Sequence, residues 1–238
     1  MVMKVYNWID FVLTRLYASR CRLCGDQGAQ GQDLCPDCKK DLSHNAYCCR
    51  VCAIPLPLTA PENTLCGSCS QQHPGFEQCL AALVYDQEVG QLVSGLKFRN
   101  QLGNARLLGD LLCDYLEARI DEKTDFILPV PLHRSRLKTR GYNQALEIAR
   151  PVGRRFGIPL RPKVCVRNRA TAAQADLDKG DRGKNIRGAF SVKKPVTGCR
   201  IVLLDDVVTT GNTVSELTRV LRQAGAARVD VWAVARTP

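Results

Sequence analysis

The chain has 238 residues, of which 45% are hydrophobic and 24% charged, and it carries a formal net charge of +11. This length accommodates one large domain or two small ones, and the apolar content is sufficient for a buried core. No run approaches the roughly 18 apolar residues of a membrane-spanning helix, so we expect no membrane span.

The basic charge is concentrated in one part of the chain. Residues 131–200 carry 18 Lys and Arg against 4 Asp and Glu, whereas residues 1–75 carry 7 against 6. A patch this uneven favours a polyanionic ligand, either a pyrophosphate-bearing metabolite or a nucleic acid. The simpler alternative is a solvated basic surface.

The N-terminal stretch predicts a short amphipathic helix, with Trp8, Phe11, Val12 and Leu16 on one face. It has neither the apolar region nor the small-residue cleavage site of a secretory signal. We therefore expect a docking helix in a cytoplasmic protein. In a reducing cytoplasm, clustered cysteines favour metal binding over disulfides.

Nine of the 13 cysteines lie between Cys21 and Cys69, and eight of them form four Cys-x-x-Cys pairs. Two such pairs complete a tetrahedral four-cysteine site, so the spacing predicts two structural zinc ions. Sequential pairing is simpler than an interleaved arrangement, and both remain open, as do iron–sulfur clusters. Of the adjacent cysteines Cys48 and Cys49, we expect Cys49 to be the metal ligand, because it keeps the two-residue spacing to Cys52. The expected ligands are Cys21, Cys24, Cys35, Cys38, Cys49, Cys52, Cys66 and Cys69.

A polar run at residues 71–75 predicts a linker. We therefore expect a helix and a double zinc ribbon in residues 1–75 and a second domain in residues 76–238. The zinc segment is too small for a large core, so the metal would supply much of its folding free energy.

Strands and helices alternate in the second domain. The apolar patterns predict strands at 80–85, 126–128, 164–166, 201–204 and 228–235, and helices from 89, over 102–120, over 143–156 and from 214. This alternation predicts a Rossmann-like α/β domain with a parallel sheet.

A basic stretch follows the strand at 126–128. The end of a strand in a parallel α/β sheet is where ligands bind, so we expect a loop that contacts an anion. Its candidate contacts are Arg134, Arg136, Lys138 and Arg140. Taken singly, each could be an ordinary surface residue. Residues 167–190 show little apolar periodicity and predict a mobile loop and hairpin, or else a disordered surface loop.

Residues 201–213 combine a buried strand, an acidic pair and a small-residue turn before a helix. The amides at the start of that helix would bind a phosphate. Asp205 and Asp206 suit a ligand rich in hydroxyls such as a ribose, because ionised carboxylates only accept hydrogen bonds. The alternative is an ordinary strand–turn–helix in which Asn212 or Thr213 caps the helix.

This stretch resembles the phosphoribosyl pyrophosphate (PRPP) loop of type I phosphoribosyltransferases. The resemblance implies that Asp205 and Asp206 hold the ribose at the catalytic centre, that the basic stretch binds pyrophosphate, and that Mg²⁺ accompanies PRPP. It also implies that residues 167–190 form a hood that closes over the ligand. The implied 5′-phosphate contacts are Thr209, Thr210, Gly211, Asn212 and Thr213. The candidate hood contacts are Arg169, Gln174, Lys184, Asn185 and Arg187.

Further motifs extend the resemblance over nearly the whole chain. Pro-Val-Pro-Leu-His at 129–133, Arg-Gly-Tyr-Asn-Gln at 140–144, Leu-Lys-Phe at 96–98 and the paired cysteines are similar to the ComF family, including its GntX-like members. That family implies a role in natural competence or the use of incoming DNA. An enzyme, a PRPP sensor without turnover and an adaptor for single-stranded DNA or DNA-processing proteins remain open. Thr209 stands where 6-oxopurine enzymes have an aspartate, which argues against their acceptors.

Overall fold

The computed structural model describes residues 19–29, 31–120, 123–169 and 186–238. The helix expected around Trp8, Phe11, Val12 and Leu16 lies outside the described residues. In chain order, the described elements are α1 (Pro36–Asp41), α2 (Gly67–Gln71), β1 (Cys79–Val84), α3 (Gln87–Phe98), α4 (Leu102–Leu116), β2 (Phe126–Pro129), α5 (Arg134–Arg140), α6 (Gln144–Phe156), β3 (Cys165–Arg167), β4 (Phe190–Val192), β5 (Arg200–Val208), α7 (Asn212–Gln223) and β6 (Arg228–Arg236).

A four-stranded parallel sheet with the order β1-β6-β5-β2 forms the centre of the molecule. Its strands alternate with helices along the chain, which confirms the predicted α/β class. Strand β5 is longer than predicted: its pairing with β6 continues from Arg200↔Arg228 to Val208↔Arg236. Asp205 and Asp206 therefore lie within the last part of the strand and not after it.

Alternate residues of β5 face opposite sides of the sheet, as the two-residue period of a strand requires. Val202 and Leu204 belong to the core formed with α3, α4 and α6. Ile201 and Leu203 belong to the core formed with α7. The sheet is thus covered on both faces, which explains why residues 201–204 are all apolar.

Helices α4 and α6 approach each other closely at Gly109. A Cβ built on this glycine would lie 2.3 Å from Cγ of Pro151 and 2.8 Å from the carbonyl oxygen of Ile148. Pro151 lies inside α6, as its position in the sequence indicated. The close packing holds α6, and with it the preceding basic helix, against the sheet.

The zinc segment runs along the outer edge of β1. The amide of Val84 donates to the carbonyl of Ser43 at 2.8 Å, that of Asn45 to Ala82 at 3.0 Å and that of Cys79 to Val51. Buried cysteines of the segment also take part in both cores. The boundary proposed at residue 75 therefore separates two segments that share their cores, and the segment covers a strand edge that would otherwise be unpaired.

The basic stretch after β2 forms a helix, α5, where the sequence predicted a loop. The side chain of His133 accepts a hydrogen bond from the amide of Ser135 at its start, and Gly141 ends it with φ of 84°. A cap and a left-handed glycine are the usual ends of a helix, and here they delimit seven residues that have no apolar period to reveal them.

Candidate functional site

A cleft of about 840 Å³ opens at the carboxyl end of the sheet. It is lined by the end of β5, the loop after it, the last residues of α3 and one face of α5. Its volume lies in the range of small-molecule sites, and its position is where parallel α/β sheets bind ligands.

The two acids of β5 lie in this cleft in different environments. Asp206 is 3% exposed, and its Oδ2 lies 2.7 Å from the Nζ of Lys97, the penultimate residue of α3. Asp205 is half-buried, and its Oδ1 accepts a hydrogen bond from the amide of Asp206 at 2.9 Å. The pair therefore offers one carboxylate already bound to an ammonium group and one that is more open to a ligand.

Charge and burial shift the pKa of Asp206 in opposite directions and the pKa of Asp205 in the same direction. Burial alone would raise the pKa of Asp206, but the charge and hydrogen bond of Lys97 hold that pKa below its usual value. Burial and the neighbouring charge of Asp206 raise the pKa of Asp205 well above its usual value. Burial would lower the pKa of Lys97, and the charge of Asp206 raises it. Asp206 and Lys97 thus form a stable ion pair.

The five residues predicted to contact a phosphate, 209–213, here called the predicted phosphate loop, all line the cleft. Gly211 has a φ of 78° and is the N-cap of α7, where it offers no side chain, and the hydroxyl of Thr210 lies 3.5 Å from the amide of Asn212. A left-handed residue at this position favours glycine. The alternative in which Asn212 or Thr213 caps the helix does not describe this turn, because both lie inside α7. Amides of its first turn consequently face the same cleft as the acids.

One face of the basic helix α5 lines the cleft. Arg136 and Arg140, four residues apart, line the cleft together with Ser135 and Thr139. Residues at this spacing lie on one face of a helix. Arg134 and Lys138 are exposed and are not among the described residues that line the cleft.

Arg140 is held in place by its neighbours. Its Nη1 donates to Oε1 of Gln144, and its guanidinium carbon lies 5.7 Å from the ring centroid of Phe98. Burial lowers its pKa. Tyr142 donates from its hydroxyl to the carbonyl of Leu96, so the motif at 140–144 fastens α5 to the end of α3, next to Lys97.

The segment predicted to form a hood, residues 167–190, is described only at its two ends. Arg169 donates to the carbonyl of Arg187 at 2.6 Å, and β3 pairs with β4 as an antiparallel ladder. The predicted contacts Gln174, Lys184 and Asn185 lie outside the described residues. The pairing of β3 with β4 and the contact between Arg169 and Arg187 bring the two arms of the predicted hairpin together.

Sequence reasoning assigned no role to Lys97, Arg167, Ser135 or Thr139, although all four line the cleft. Lys97 stands in the Leu-Lys-Phe motif at 96–98, which carried a resemblance but no function. Arg167 ends β3, and burial, together with the charge of Arg136, lowers its pKa. Its position as a basic residue at the end of a predicted strand could have identified Arg167 as a candidate cleft residue.

The eight predicted cysteines form two groups. The first four-cysteine site contains Cys21, Cys24, Cys35 and Cys38, and the second contains Cys49, Cys52, Cys66 and Cys69. Within each group the sulfur atoms all lie within 4.8 Å of one another. Pairing is therefore sequential and not interleaved. Four thiols around one point form the tetrahedral donor set of a structural zinc ion, and they leave no position open for water.

Backbone amides prepare the sulfur atoms for a cation. Cys35 Sγ accepts from the amide of Cys38 at 3.4 Å, and Cys49 Sγ accepts from the amide of Cys66 at 3.3 Å. Burial alone would raise the pKa of Cys21 and Cys49, but hydrogen bonds from backbone amides lower it to about 6 and about 7. Hydrogen bonding to Cys35 raises the pKa of Cys38, and burial raises the pKa of Cys52 and Cys69. Each group thus holds one thiol that is readily deprotonated beside others that lose their protons when a metal binds.

Comparison with known proteins bears on both halves of the chain. A family described as "Double zinc ribbon domain" matches residues 12–70. Competence protein F of Haemophilus influenzae is 33% identical over 227 residues, which cover 91% of this chain and 96% of that protein. The DNA utilization protein YhgH of Escherichia coli K12 is 33% identical over 223 residues, with the same two coverages.

Other proteins are similar to this chain over only about half of its length. A ribose-phosphate pyrophosphokinase of Prochlorococcus marinus is 29% identical over 126 residues, 53% of this chain and 37% of that protein. Among solved structures, the PRPP amidotransferase of B. subtilis is 22% identical with a TM-score of 0.36, covering 54% of this chain and 25% of the other. A purine phosphoribosyltransferase of Pyrococcus horikoshii is 15% identical with a TM-score of 0.34, covering 56% and 81%. These TM-scores are too low to support an inference.

Proposed function

Because the chain belongs to the family of competence protein F and the DNA utilization protein YhgH, we propose that it serves the use of incoming DNA through a domain that binds PRPP or a related phosphorylated ribose. One observation carries the proposal: an acidic pair, a helix start with glycine as its N-cap and two arginines line a single cleft. The likeness to a protein named ribose-phosphate pyrophosphokinase supports the same class of ligand.

Each part of PRPP has a chemical counterpart in the cleft. The ribose hydroxyls would donate to Asp205 and Asp206, because ionised carboxylates accept hydrogen bonds. The 5′-phosphate would accept from the amides at the start of α7. The pyrophosphate would accept from Arg136 and Arg140, whose guanidinium groups bind phosphate oxygens in pairs.

Mg²⁺ fits this arrangement as a companion of the ligand. It prefers oxygen donors and is usually held by one or two carboxylates and by substrate phosphates. Asp205 is the more exposed of the two acids, whereas Asp206 is bound to Lys97. When bound, the ion would neutralise charge that develops on the pyrophosphate.

In an enzyme, a nucleophile would form a bond to C1 of the ribose while the bond from C1 to the pyrophosphate oxygen breaks. Arg136 and Arg140 would stabilise the charge of the leaving pyrophosphate, and the acids would fix the ribose. Thr209 offers no carboxylate to an acceptor base at the position where 6-oxopurine enzymes have one. A sensor would need the binding interactions alone.

A calorimetric titration with PRPP, with and without MgCl₂, tests the proposal. We expect saturable binding that MgCl₂ strengthens, and weaker binding of ribose 5-phosphate, which lacks the pyrophosphate. Absence of PRPP binding at millimolar concentration in zinc-loaded protein would refute the proposal. Pyrophosphate release over a panel of bases and amines then separates an enzyme from a sensor.

The relatives' names also favour contact with DNA, and the basic residues 131–200 are compatible with it. Phosphate contacts make binding steeply salt-dependent, with a slope proportional to the number of contacts. A titration of single-stranded DNA at several salt concentrations would show that slope in a DNA-binding adaptor. Salt-independent or undetectable binding would exclude the adaptor and leave the ligand site unaffected.

We further propose a cytoplasmic location, where a protein that serves the use of incoming DNA would act. Separately, none of the described helices is long and apolar enough to cross a bilayer.

A further inference from the structure

We propose that Arg236 is a positioning residue that links the second four-cysteine site to the predicted phosphate loop, so that metal in that site strengthens anion binding in the cleft. The identity of the anion rests on the function proposed above, whereas the link itself does not. Arg236 is the last residue of β6 and is 6% exposed.

The guanidinium of Arg236 spans two parts of the chain that are far apart in sequence. Its Nε donates to the carbonyl of Cys52 at 3.1 Å. Its Nη1 lies 3.1 Å from the carbonyl oxygen of Val208 and contacts that of Thr209. Cys52 is a ligand of the second site, and Thr209 opens the predicted phosphate loop. One planar, rigid group therefore fixes both backbones relative to each other.

The surroundings of Arg236 leave its charge to be balanced from elsewhere. Its contacts are carbonyl oxygens and the hydroxyl of Thr237, and among the described residues no Asp or Glu forms an ion pair with it. A buried charge without a counter-charge is costly. Zinc with four thiolates carries a formal charge of about −2, so the loaded second site supplies a negative charge beside this arginine.

The segment around Cys52 is itself fastened to the sheet. The amide of Cys79 donates to the carbonyl of Val51 at 2.7 Å, and the side chain of Asn45 donates to the carbonyl of Ala53 at 2.9 Å. Ala53 has a φ of 55°, a conformation that a non-glycine residue adopts only where its surroundings enforce it. Loss of metal would release this turn, and Arg236 would no longer hold the first residue of the loop.

Coupling between two sites is reciprocal, so the link has two measurable sides. Metal in the second site strengthens binding in the cleft, and a ligand in the cleft slows loss of that metal. Typical coupling changes an affinity by about 5- to 150-fold, and we expect the effect of Arg236→Met on PRPP affinity to fall in this range. Two zinc ions should remain bound, because Arg236 offers no ligand to either.

The experiment compares wild type, Arg236→Met, Arg236→Lys and the control Arg222→Met in zinc-loaded full-length protein. Arg222 is a half-buried arginine near the end of α7, far from the first turn of that helix. It donates to the backbone carbonyls of Ala226 and Ala227 and also forms an ion pair with Glu77. The readouts are zinc content, affinity for PRPP and for inorganic phosphate, and the rate of zinc transfer to a chelator with and without each anion.

We expect both anions to slow zinc transfer in wild type and in Arg222→Met and to have no effect in Arg236→Met. Arg236→Lys keeps the charge but cannot reach Cys52 and Thr209 together, so it should resemble Arg236→Met. Full function of Arg236→Lys, or zinc transfer in wild type that ignores a bound anion, would overturn the link.

Amide hydrogen exchange of residues 207–213 provides a readout that needs no ligand. Protection should fall in both Arg236 variants and stay unchanged in Arg222→Met. If neither anion binds the wild type, the proposed function fails and this exchange still decides the link. If Arg236→Met does not fold, Arg236→Lys carries the comparison, and unchanged protection in that variant overturns the proposal.

Discussion

Removing the ammonium group of Lys97 is expected to destabilise the protein in a way that depends on pH. Asp206 is 3% exposed, and Lys97 Nζ lies 2.7 Å from its Oδ2. Lys97→Met keeps most of the apolar stem and deletes the charge. Breaking a buried ion pair by removing one partner costs about 3–5 kcal/mol. The side chain of Lys97 is 25% exposed, so solvent relieves part of this cost and we expect about 3 kcal/mol at pH 7.

The pH dependence follows from the direction of the pKa shift. Lys97 holds the pKa of Asp206 below its usual value. A depressed carboxyl pKa stabilises the folded state above the unfolded value of about 3.9, and this contribution is lost as pH falls through the folded value. In Lys97→Met the pKa of Asp206 rises instead. The difference in stability between the two proteins should therefore be large at pH 7 and should shrink towards pH 4.

Urea unfolding of zinc-loaded protein at pH 4.5, 5.5 and 7 measures this difference. The double variant Lys97→Met with Asp206→Asn should recover most of the lost stability, because an amide needs no counter-charge. A matched control is Lys39→Met, whose ion pair with Asp114 at 3.0 Å is exposed and should contribute less than about 1 kcal/mol. The reasoning is wrong if Lys97→Met is as stable as wild type at pH 7, or if its loss does not change with pH.

Three further predictions concern the cleft and the metal sites. Asp205→Asn combined with Asp206→Asn should weaken PRPP binding by at least about 100-fold, since hydrogen bonds to charged groups contribute about 1.5–3 kcal/mol each; calorimetry with pyrophosphate as control measures this, and retained PRPP affinity would remove the acids from the ribose site. Gly211→Ala should lower stability and phosphate affinity, because its φ of 78° disfavours a side chain, and its thermal midpoint should fall by a few degrees. Cys35→Ser should reduce the metal content by about one ion per chain and loosen the N-terminal segment; unchanged metal content by atomic emission would exclude Cys35 as a ligand.

The sequence predicted those features that depend on local chemistry. Two-residue spacing between cysteines determined the ligands, and the apolar run at 201–204 marked the central strand. It did not predict helix α5, because its seven residues carry charges on two opposite sides and no apolar stripe, and its ends depend on His133 and Gly141.

The ion pair of Lys97 with Asp206 was not predictable, because 109 positions separate the two residues and only the folded sheet brings them together. The same holds for Arg236, which a strand pattern describes as an ordinary terminal residue. The apolar pattern of a sequence does not show which distant charges form ion pairs. The position of a ligand at the carboxyl end of a parallel strand, in contrast, follows from the topology of the sheet. Hence the position of loop 209–213 at the cleft was predicted from sequence, and the side chains that contact it and the acidic pair from distant parts of the chain were not.

The contact of residues 43–51 with strand β1 determines whether the two halves of the chain can be separated. Here the ribbon supplies backbone partners to Val84, Ala82 and Cys79, so it completes a sheet that belongs to the other half. A ligand-binding half expressed alone would present a bare strand to its neighbours and associate through it. The two halves are therefore expected to persist together, as one unit of selection.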